Sequence, residues 1–243
     1  MKFIIISPAY NCDSFIKKHL QSLQYQTYED WHQIIINDFS SDDTLEIIND
    51  TRDSRTTYCT NPWRMYAPYS HWYGLYKARG CIEPEDIIVH IDSDDWLAHN
   101  QALEMLASIY EHTGCWGSYG SYLATNNEPS VCVKVDTSYQ IRAGLPRWPF
   151  SHIRSFRAEL AAYCDESWFK DSTGEWLTKA GDVACIAPIF ELAGLDRIQF
   201  VQDPLLIYNR QNPLNEDKQD REACIRAAAE IRLKKPLQRL ESL

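Results

Sequence analysis

The 243-residue sequence predicts an α/β fold, a mostly parallel, doubly wound sheet flanked by helices. Two observations carry this expectation. Short apolar runs alternate with segments of helical periodicity through residues 1–100, the order that such a sheet requires. Three polar clusters, Pro8 to Asn11, Asp38 to Asp43 and Asp92 to Asp95, directly follow apolar runs, and ligands of these sheets bind beyond the carboxyl ends of the strands.

Phe3-Ile4-Ile5-Ile6 reads as a buried strand, broken by Pro8-Ala9-Tyr10-Asn11. Asp13 or Ser14 can cap a helix carrying Phe15, Ile16, Leu20 and Leu23. Gln33 to Asn37 is a second strand, Thr44 to Ile48 the next helix and Thr57 to Cys59 a third strand. A helix over His71 to Arg79 is closed by Gly80. Asp86 to Ile91 is a fourth strand running into Asp92-Ser93-Asp94-Asp95-Trp96, and a helix from Gln101 to Glu111 follows. Gly117 to Thr125 and Val131 to Val135 read as strands, Arg142 to Ser155 as a loop and Phe156 to Tyr163 as a helix. Asp165 to Lys179 reads as mobile or ligand-facing. Gly181-Asp182 opens a helix over Val183 to Leu192, with Pro188 inside it and Gly194 at its end. Ile198 to Val201 and Leu205 to Tyr208 are the last strands, and Glu216 to Leu243 is a charged helical tail broken near Pro236. The expected organisation is one domain over 1–213, with halves at 1–100 and 101–213, followed by a tail at 214–243.

Hydrophobic residues at 44% and charged residues at 24% suit a globular chain and exclude global disorder. A net charge of −10 speaks against nucleic-acid binding, which needs a basic face. No run of apolar residues is long enough for a membrane span, and the N-terminus lacks a signal-peptide core, so the expected location is the cytoplasm. The eight cysteines are never closer than 17 residues, which leaves no CxxC pair and predicts reduced thiols. The tail, basic around Arg232 to Arg239, could dock as an amphipathic helix, pair subunits as a homodimer, or make peripheral contact with a membrane.

Asp92-Ser93-Asp94-Asp95 carries the most chemistry. Three carboxylates in four residues repel one another unless a cation is present, and hard oxygen ligands suit Mg²⁺ or Mn²⁺ bridging to a diphosphate. The other reading is a solvated acidic turn with Asp95 capping the next helix. Asp38 could accept from a base or a ribose hydroxyl, while Asp42 and Asp43 read as helix caps. GxGxxG and GxxxxGK[ST] loops are both absent, which argues against dinucleotide and P-loop sites. Pro8-Ala9-Tyr10 could still hold a nucleotide, with the Tyr10 ring offering a face. Asp182 is stabilised as an anion at a helix N-terminus; it is a candidate general base or simply a cap. His152 and Arg154 could hold phosphate, or belong to a surface loop. Trp96, Trp148, Trp168 and Trp176 flank the polar clusters and could offer a ring face to a ligand, and His19, His32, His99 and His112 are expected to face solvent.

Ile4 to Asn11, Leu23 to Tyr28, Ile36 to Thr44 and Ile91-Asp92-Ser93-Asp94-Asp95-Trp96-Leu97 together resemble the family 2 glycosyltransferases, the last stretch matching that family's DxD motif. The resemblance extends more weakly to Ala180-Gly181-Asp182, and Ser151 to Arg157 and Tyr208 to Pro213 look like segments of a viral or bacterial subset. It implies a GT-A fold with a Rossmann-like sheet, a nucleotide-sugar donor (UDP by family frequency), Mn²⁺ or Mg²⁺, and inverting transfer to a glycan, glycoprotein or glycolipid hydroxyl. Carried over, Asp38 would contact the base, Asp92 the ribose and Asp94 the metal. Pro8, Ala9, Tyr10 and Ser93 would line the nucleotide site, Arg64 and Lys77 would approach the diphosphate, and Asp182 would deprotonate the acceptor. Asp95, Trp96, His152 and Arg154 are the candidate acceptor or phosphate contacts. Gly181 stands where many members carry Glu, and the (Gln/Arg)-x-x-Arg-Trp signature of processive synthases is missing, which favours transfer of one sugar. Two rivals are a noncatalytic nucleotide-sugar or carbohydrate-binding module, which has no need of Asp182, and a sugar-phosphate nucleotidyltransferase, which would want a basic glycine-rich loop where Pro8 to Ser14 stands.

Overall fold

A computed structural model describes residues 1–76, 82–142 and 148–243. Phe3, Ile4, Ile5 and Ile6 are fully buried. Their side chains alternate between two cores, Ile4 and Ile6 entering one, Phe3 and Ile5 the other. A strand apolar on both faces must be covered on both, and this one lies inside the sheet as β1 (Phe3–Ala9). β2 (Trp31–Asn37) pairs with it in parallel, and β3 (Thr56–Thr60) pairs with β2 in the same sense. The crossovers are α1 (Asp13–Gln24) and α2 (Thr44–Thr51). After α3 (Tyr66–Tyr76) the chain returns to the opposite side of β1 as β4 (Ile87–His90), again parallel. The reversal of strand order between β1 and β4 is where such a sheet opens a crevice at its carboxyl edge.

The second half extends the same sheet. It supplies β5 (Trp96–Leu97), α4 (Ala102–Thr113), β6 (Gly117–Ala124), β7 (Arg154–Arg157), α5 (Gly181–Ala193), β8 (Ile198–Tyr208), α6 (Glu216–Gln219) and α7 (Arg221–Leu233). The eight strands are ordered β3-β2-β1-β4-β7-β6-β8-β5, with β7 antiparallel to β4. Leu75 of α3 and Ile186, Ile189 and Phe190 of α5 cover one face, and Leu103 and Leu106 of α4 the other. α3 lies close against the sheet at Gly74, where a Cβ would come within 2.7 Å of the Ile6 Cγ2. The described helices include none long and apolar enough to cross a membrane, and the seven described cysteines are free thiols.

Several local expectations are corrected. α3 starts five residues ahead of His71, at Tyr66, because the Asp38 carboxylate accepts from the Met65 and Tyr66 N–H groups at 2.7 Å each. An acceptor from another element thus caps the helix start. Lys77, Arg79 and the closing Gly80 lie outside the described residues. Val131 to Val135 forms no strand: its backbone serves the Tyr119 hydroxyl, which donates to the Val133 carbonyl at 2.9 Å and accepts from the Val135 N–H at 3.0 Å. Phe156 is a strand residue opposite Ile88, and the helical turn that follows is a 3₁₀ segment, Ala158–Tyr163. The 165–179 segment is not ligand-facing, since Trp168, Phe169 and Leu177 enter the core. The last two strands are one, β8, with a register shift opposite Gly120 and Tyr122. The tail docks through Ile231, which is fully buried, and leaves its helix at Leu233, ahead of Pro236.

Candidate active site

A cavity of about 760 Å³ opens at the carboxyl edge of β1, β2 and β4. Pro8, Ala9 and Tyr10 line it after β1, Asp38 after β2, Asp92 and Asp94 after β4, and Asp182 from the first turn of α5. The three polar clusters recognised in the sequence therefore converge, as their positions after strands require.

At one end, the buried Asp38 accepts from Asn61 Nδ2 at 2.7 Å, from the two backbone N–H groups that start α3, and from Arg64. The Arg64 guanidinium also lies 3.3 Å from the Tyr10 ring centroid and 4.8 Å from that of Tyr66. Arg64 thus lines the cavity paired with Asp38 and packed on two aromatic rings. Asp42 behaves as a cap, accepting from Asp13 N–H and Thr44 N–H at 3.1 Å each.

The acidic loop forms the floor. Asp92 and Asp94 are partly exposed, and Asp94 Oδ2 accepts from Asn212 Nδ2 at 2.7 Å. Burial and the Asp92 charge push the Asp94 carboxyl up to about 6. Asp95 lies wholly buried beneath; its Oδ1 accepts from Asn209 N–H at 2.7 Å. Its Oδ2 has no hydrogen-bond partner among the described residues and sits 3.9 Å from His152 Nε2. Burial and the charges of Asp94 and Asp92 raise the Asp95 carboxyl well above the carboxylate range. His152 is held neutral by burial and by Arg154, and its ring stacks on Tyr208. Asp92, Asp95 and His152 each offer a ligand atom within 4.8 Å of the others. Crowded carboxylates, an orphaned carboxylate oxygen and a neutral imidazole fit a divalent cation, Mn²⁺ better than Mg²⁺ because of the nitrogen ligand. The set differs from the expected one, in which Asp94 alone among these groups was the ligand.

Opposite the floor, the Asp182 carboxylate is 35% exposed and pairs with Arg154, itself 5% exposed, at 3.0 Å. Behind Arg154, the rings of His71 and His90 stack 4.5 Å apart. Burial first, then the Arg154 charge, lowers His71 to about 3, so this base of the cavity is neutral at physiological pH. Residue 181 must be small, since a Cβ there would lie 2.9 Å from His71 Cδ2 and 3.0 Å from the Pro68 nitrogen. The Glu that many family members carry would not fit.

Further expectations fail on geometry. Ser93 does not face the cavity: it is 1% exposed and donates to the Ser7 carbonyl at 3.4 Å. Asp95 neither caps α4 nor reaches an acceptor. Trp96 is buried away from the cavity with the Lys18 ammonium 3.7 Å over its ring. Of the four tryptophans singled out, Trp148 lines the cavity, whereas Trp168 is in the core and Trp176 packs on Tyr69 and Trp72. His19 is fully buried rather than exposed: Nδ1 donates to the Asp95 carbonyl at 2.7 Å and Nε2 accepts from Gln33 Nε2 at 2.6 Å. Sequence reasoning missed His71, Asn212 as the partner of Asp94, and Arg221 and Arg232 of α7, which close the far side. Asn212 had a signal in the Tyr208 to Pro213 resemblance and Arg232 in the basic stretch of the tail; His71 and Arg221, ordinary helix residues, had none.

Comparison with known proteins gives a consistent result. The profile described as Glycosyl transferase family 2 matches residues 4–169. The Escherichia coli UDP-Glc:alpha-D-GlcNAc-diphosphoundecaprenol beta-1,3-glucosyltransferase WfgD is 33% identical over 128 residues, which is 52% of this chain and 48% of that protein. The chain thus spans about half the length of that curated relative. Among solved structures, S. aureus TarS 1-349 in complex with UDP-GlcNAc superposes with a TM-score of 0.67 at 20% identity, covering 87% of this chain and 59% of that one. Glucosyl-3-phosphoglycerate synthase from Mycobacterium tuberculosis with Mn²⁺, UDP-glucose and phosphoglyceric acid superposes at 0.60, with 17% identity over 93% of this chain and 79% of that one. These structural likenesses establish a shared fold, the GT-A fold.

Proposed function

The chain belongs to glycosyl transferase family 2, and from that premise we propose that it transfers one sugar from a UDP-sugar to a hydroxyl of a glycan or glycolipid, with inversion at the anomeric carbon. The observation that carries this reading is the placement of Asp182, a partly exposed carboxylate on the wall facing the acidic loop in one cavity. A binding module has no use for such a group, and a nucleotidyltransferase would attack at phosphorus rather than need a base on the acceptor side.

The nucleoside enters at Pro8, Ala9, Tyr10 and Asp38, where Tyr10 offers a ring face. Asp92, Asp95 and His152, with Asp94 beside them on the same loop, are the residues that would hold a divalent cation. Such an ion supplies charge neutralisation for the leaving diphosphate. In the displacement, the acceptor oxygen bonds to the anomeric carbon while the bond from that carbon to the diphosphate oxygen breaks, the electron pair leaving with UDP. The acceptor proton passes to Asp182. Arg154 fixes the carboxylate by pairing with its Oδ2, leaving the group oriented before substrate arrives. The acceptors in the relatives' names, a GlcNAc-diphosphoundecaprenol and a poly(ribitol-phosphate), support a glycoconjugate acceptor here.

Calorimetric titration of UDP and GDP, each with and without Mn²⁺, tests the donor assignment, and Asp182→Asn tests the base. UDP binding that needs the metal and disappears in Asp94→Ala is expected. In Asp182→Asn, UDP binding is expected to persist while transfer falls about 10²–10⁴-fold. Absence of nucleotide binding under every metal condition, or near-normal transfer by Asp182→Asn, overturns the corresponding half of the reading.

A further inference from the structure

Beyond Asp182 the cavity continues to a wall made by α7. Arg221, Ile225, Ala228 and Arg232 all line it, at spacings of four, three and four residues, so they form one face of the helix. The two arginines stand about 16 Å apart along the axis at 1.5 Å rise per residue, with apolar side chains between them. Neither arginine has an ion-pair partner among the described residues. The two carboxylates of α7 are engaged elsewhere, Glu222 with Arg226 at 3.5 Å and Glu230 with the Ser172 N–H at 3.1 Å.

Two N–H donors here are buried without an acceptor among the described residues, Arg232 Nε and Trp148 Nε1. Both belong to the same corner. Trp148 and Tyr139 each pack edge-on against Phe150, at 5.0 Å and 5.6 Å, and the Arg232 charge acts on the Tyr139 hydroxyl. A buried donor left unpaired costs about 1–3 kcal/mol, more when charged. Both residues line the cavity, and a guanidinium beside an indole N–H is complementary to an anionic oxygen group.

We propose that the Trp148–α7 wall is an acceptor subsite for a phosphate ester, with Arg232 and Trp148 holding phosphate oxygens and Ile225 and Ala228 running beneath the adjoining part of the acceptor. This deepens the transferase reading and rests on it. Arg221, exposed at the outer end of the stripe, draws the anion in.

The test follows the Trp148 indole N–H resonance in the full chain saturated with UDP and Mg²⁺, the resonance being assigned by its loss in Trp148→Phe. Octyl phosphate and glycerol phosphate are titrated separately, with octyl glucoside as the uncharged control. A saturable shift with the phosphates and none with the glucoside is expected, weakened about tenfold or more in Arg232→Gln and retained in Arg226→Gln, a neighbour on the same helix outside the cavity. Tighter binding of octyl phosphate assigns a lipid-linked phosphate; equal binding assigns a phosphate on a polar carrier. No shift, or a shift unchanged in Arg232→Gln, overturns the subsite. Failure of UDP to bind in the same samples overturns the donor reading instead and is read separately.

Discussion

His19 ties the acidic loop to the sheet, and its protonation should untie it. The imidazole is fully buried, donates through Nδ1 to the Asp95 carbonyl, and accepts at Nε2 from Gln33. Gln33 Nε2 in turn donates to Ser7 Oγ at 3.0 Å. A protonated ring would present a second N–H to a group that is itself a donor. Burial lowers His19 to about 4 from its ordinary 6.5. The folded value lies below the unfolded one, so its contribution is fully present above 6.5 and is lost as pH falls toward 4. Between pH 8 and pH 5 the loss works out at about 2 kcal/mol, nearly all of 1.36 kcal/mol for each of the 1.5 pH units below the unfolded value. Urea unfolding of the wild type and of His19→Gln at both pH values measures this directly. The variant should be less stable at pH 8, and its stability should fall by about 2 kcal/mol less on going to pH 5. Identical pH dependences in the two proteins would refute the assignment of a neutral, buried imidazole at this position.

Three other outcomes are expected. For Asp94 the folded value, about 6, is above the ordinary 3.8, so its favourable contribution is present below about pH 4 and is lost as pH rises through 6; added Mn²⁺, which requires the ionised carboxylate, should therefore raise Tm more at pH 7.5 than at pH 5, and an equal shift would count against metal binding there. Gly181→Ala forces a methyl against His71 and the Pro68 nitrogen, costing about 1–3 kcal/mol in chemical denaturation and lowering transfer while UDP affinity is retained, because the displaced group is Asp182 and not the nucleoside end. Asp38→Ala strips the acceptor from the Asn61, Met65 and Tyr66 donors and from Arg64, and should cost roughly 2–4 kcal/mol and weaken UDP binding, both readable in one set of thermal and calorimetric runs.

The parallel half was legible because its signals are local. Phe3 to Ile6 and Ile34 to Ile36 announce strands by being apolar on both faces, and Asp38 and Asp92 to Asp94 announce a crevice by following them. The second half was harder because its determinants are distant in sequence. Nothing within Val131 to Val135 reveals that the Tyr119 hydroxyl will claim its backbone. The start of α3 is set by a carboxylate 28 residues before Tyr66, where a scan for local caps finds nothing. The same holds in the site. Asp182 could be singled out from its place before a helix, but its partner Arg154 is 28 residues earlier in a segment that reads as loop until Phe156 is seen opposite Ile88. His19 was misread because its helix position gives no hint of the buried acceptor beyond it.

The junction at Asp95 bears on how the chain can be divided. Its Oδ1 is satisfied by the backbone of Asn209, Asp94 is satisfied by Asn212, and β5 pairs with β8. All three partners are more than 100 residues downstream. A fragment ending near residue 100 would carry the cavity residues Pro8 to Tyr10, Asp38, Asp92 and Asp94, yet leave two carboxylates and a strand edge without their complements. Expressed alone, such a fragment should be unfolded or aggregated, because the free edge of β4 waits on β7 and the acidic loop waits on β8 and the turn that follows it.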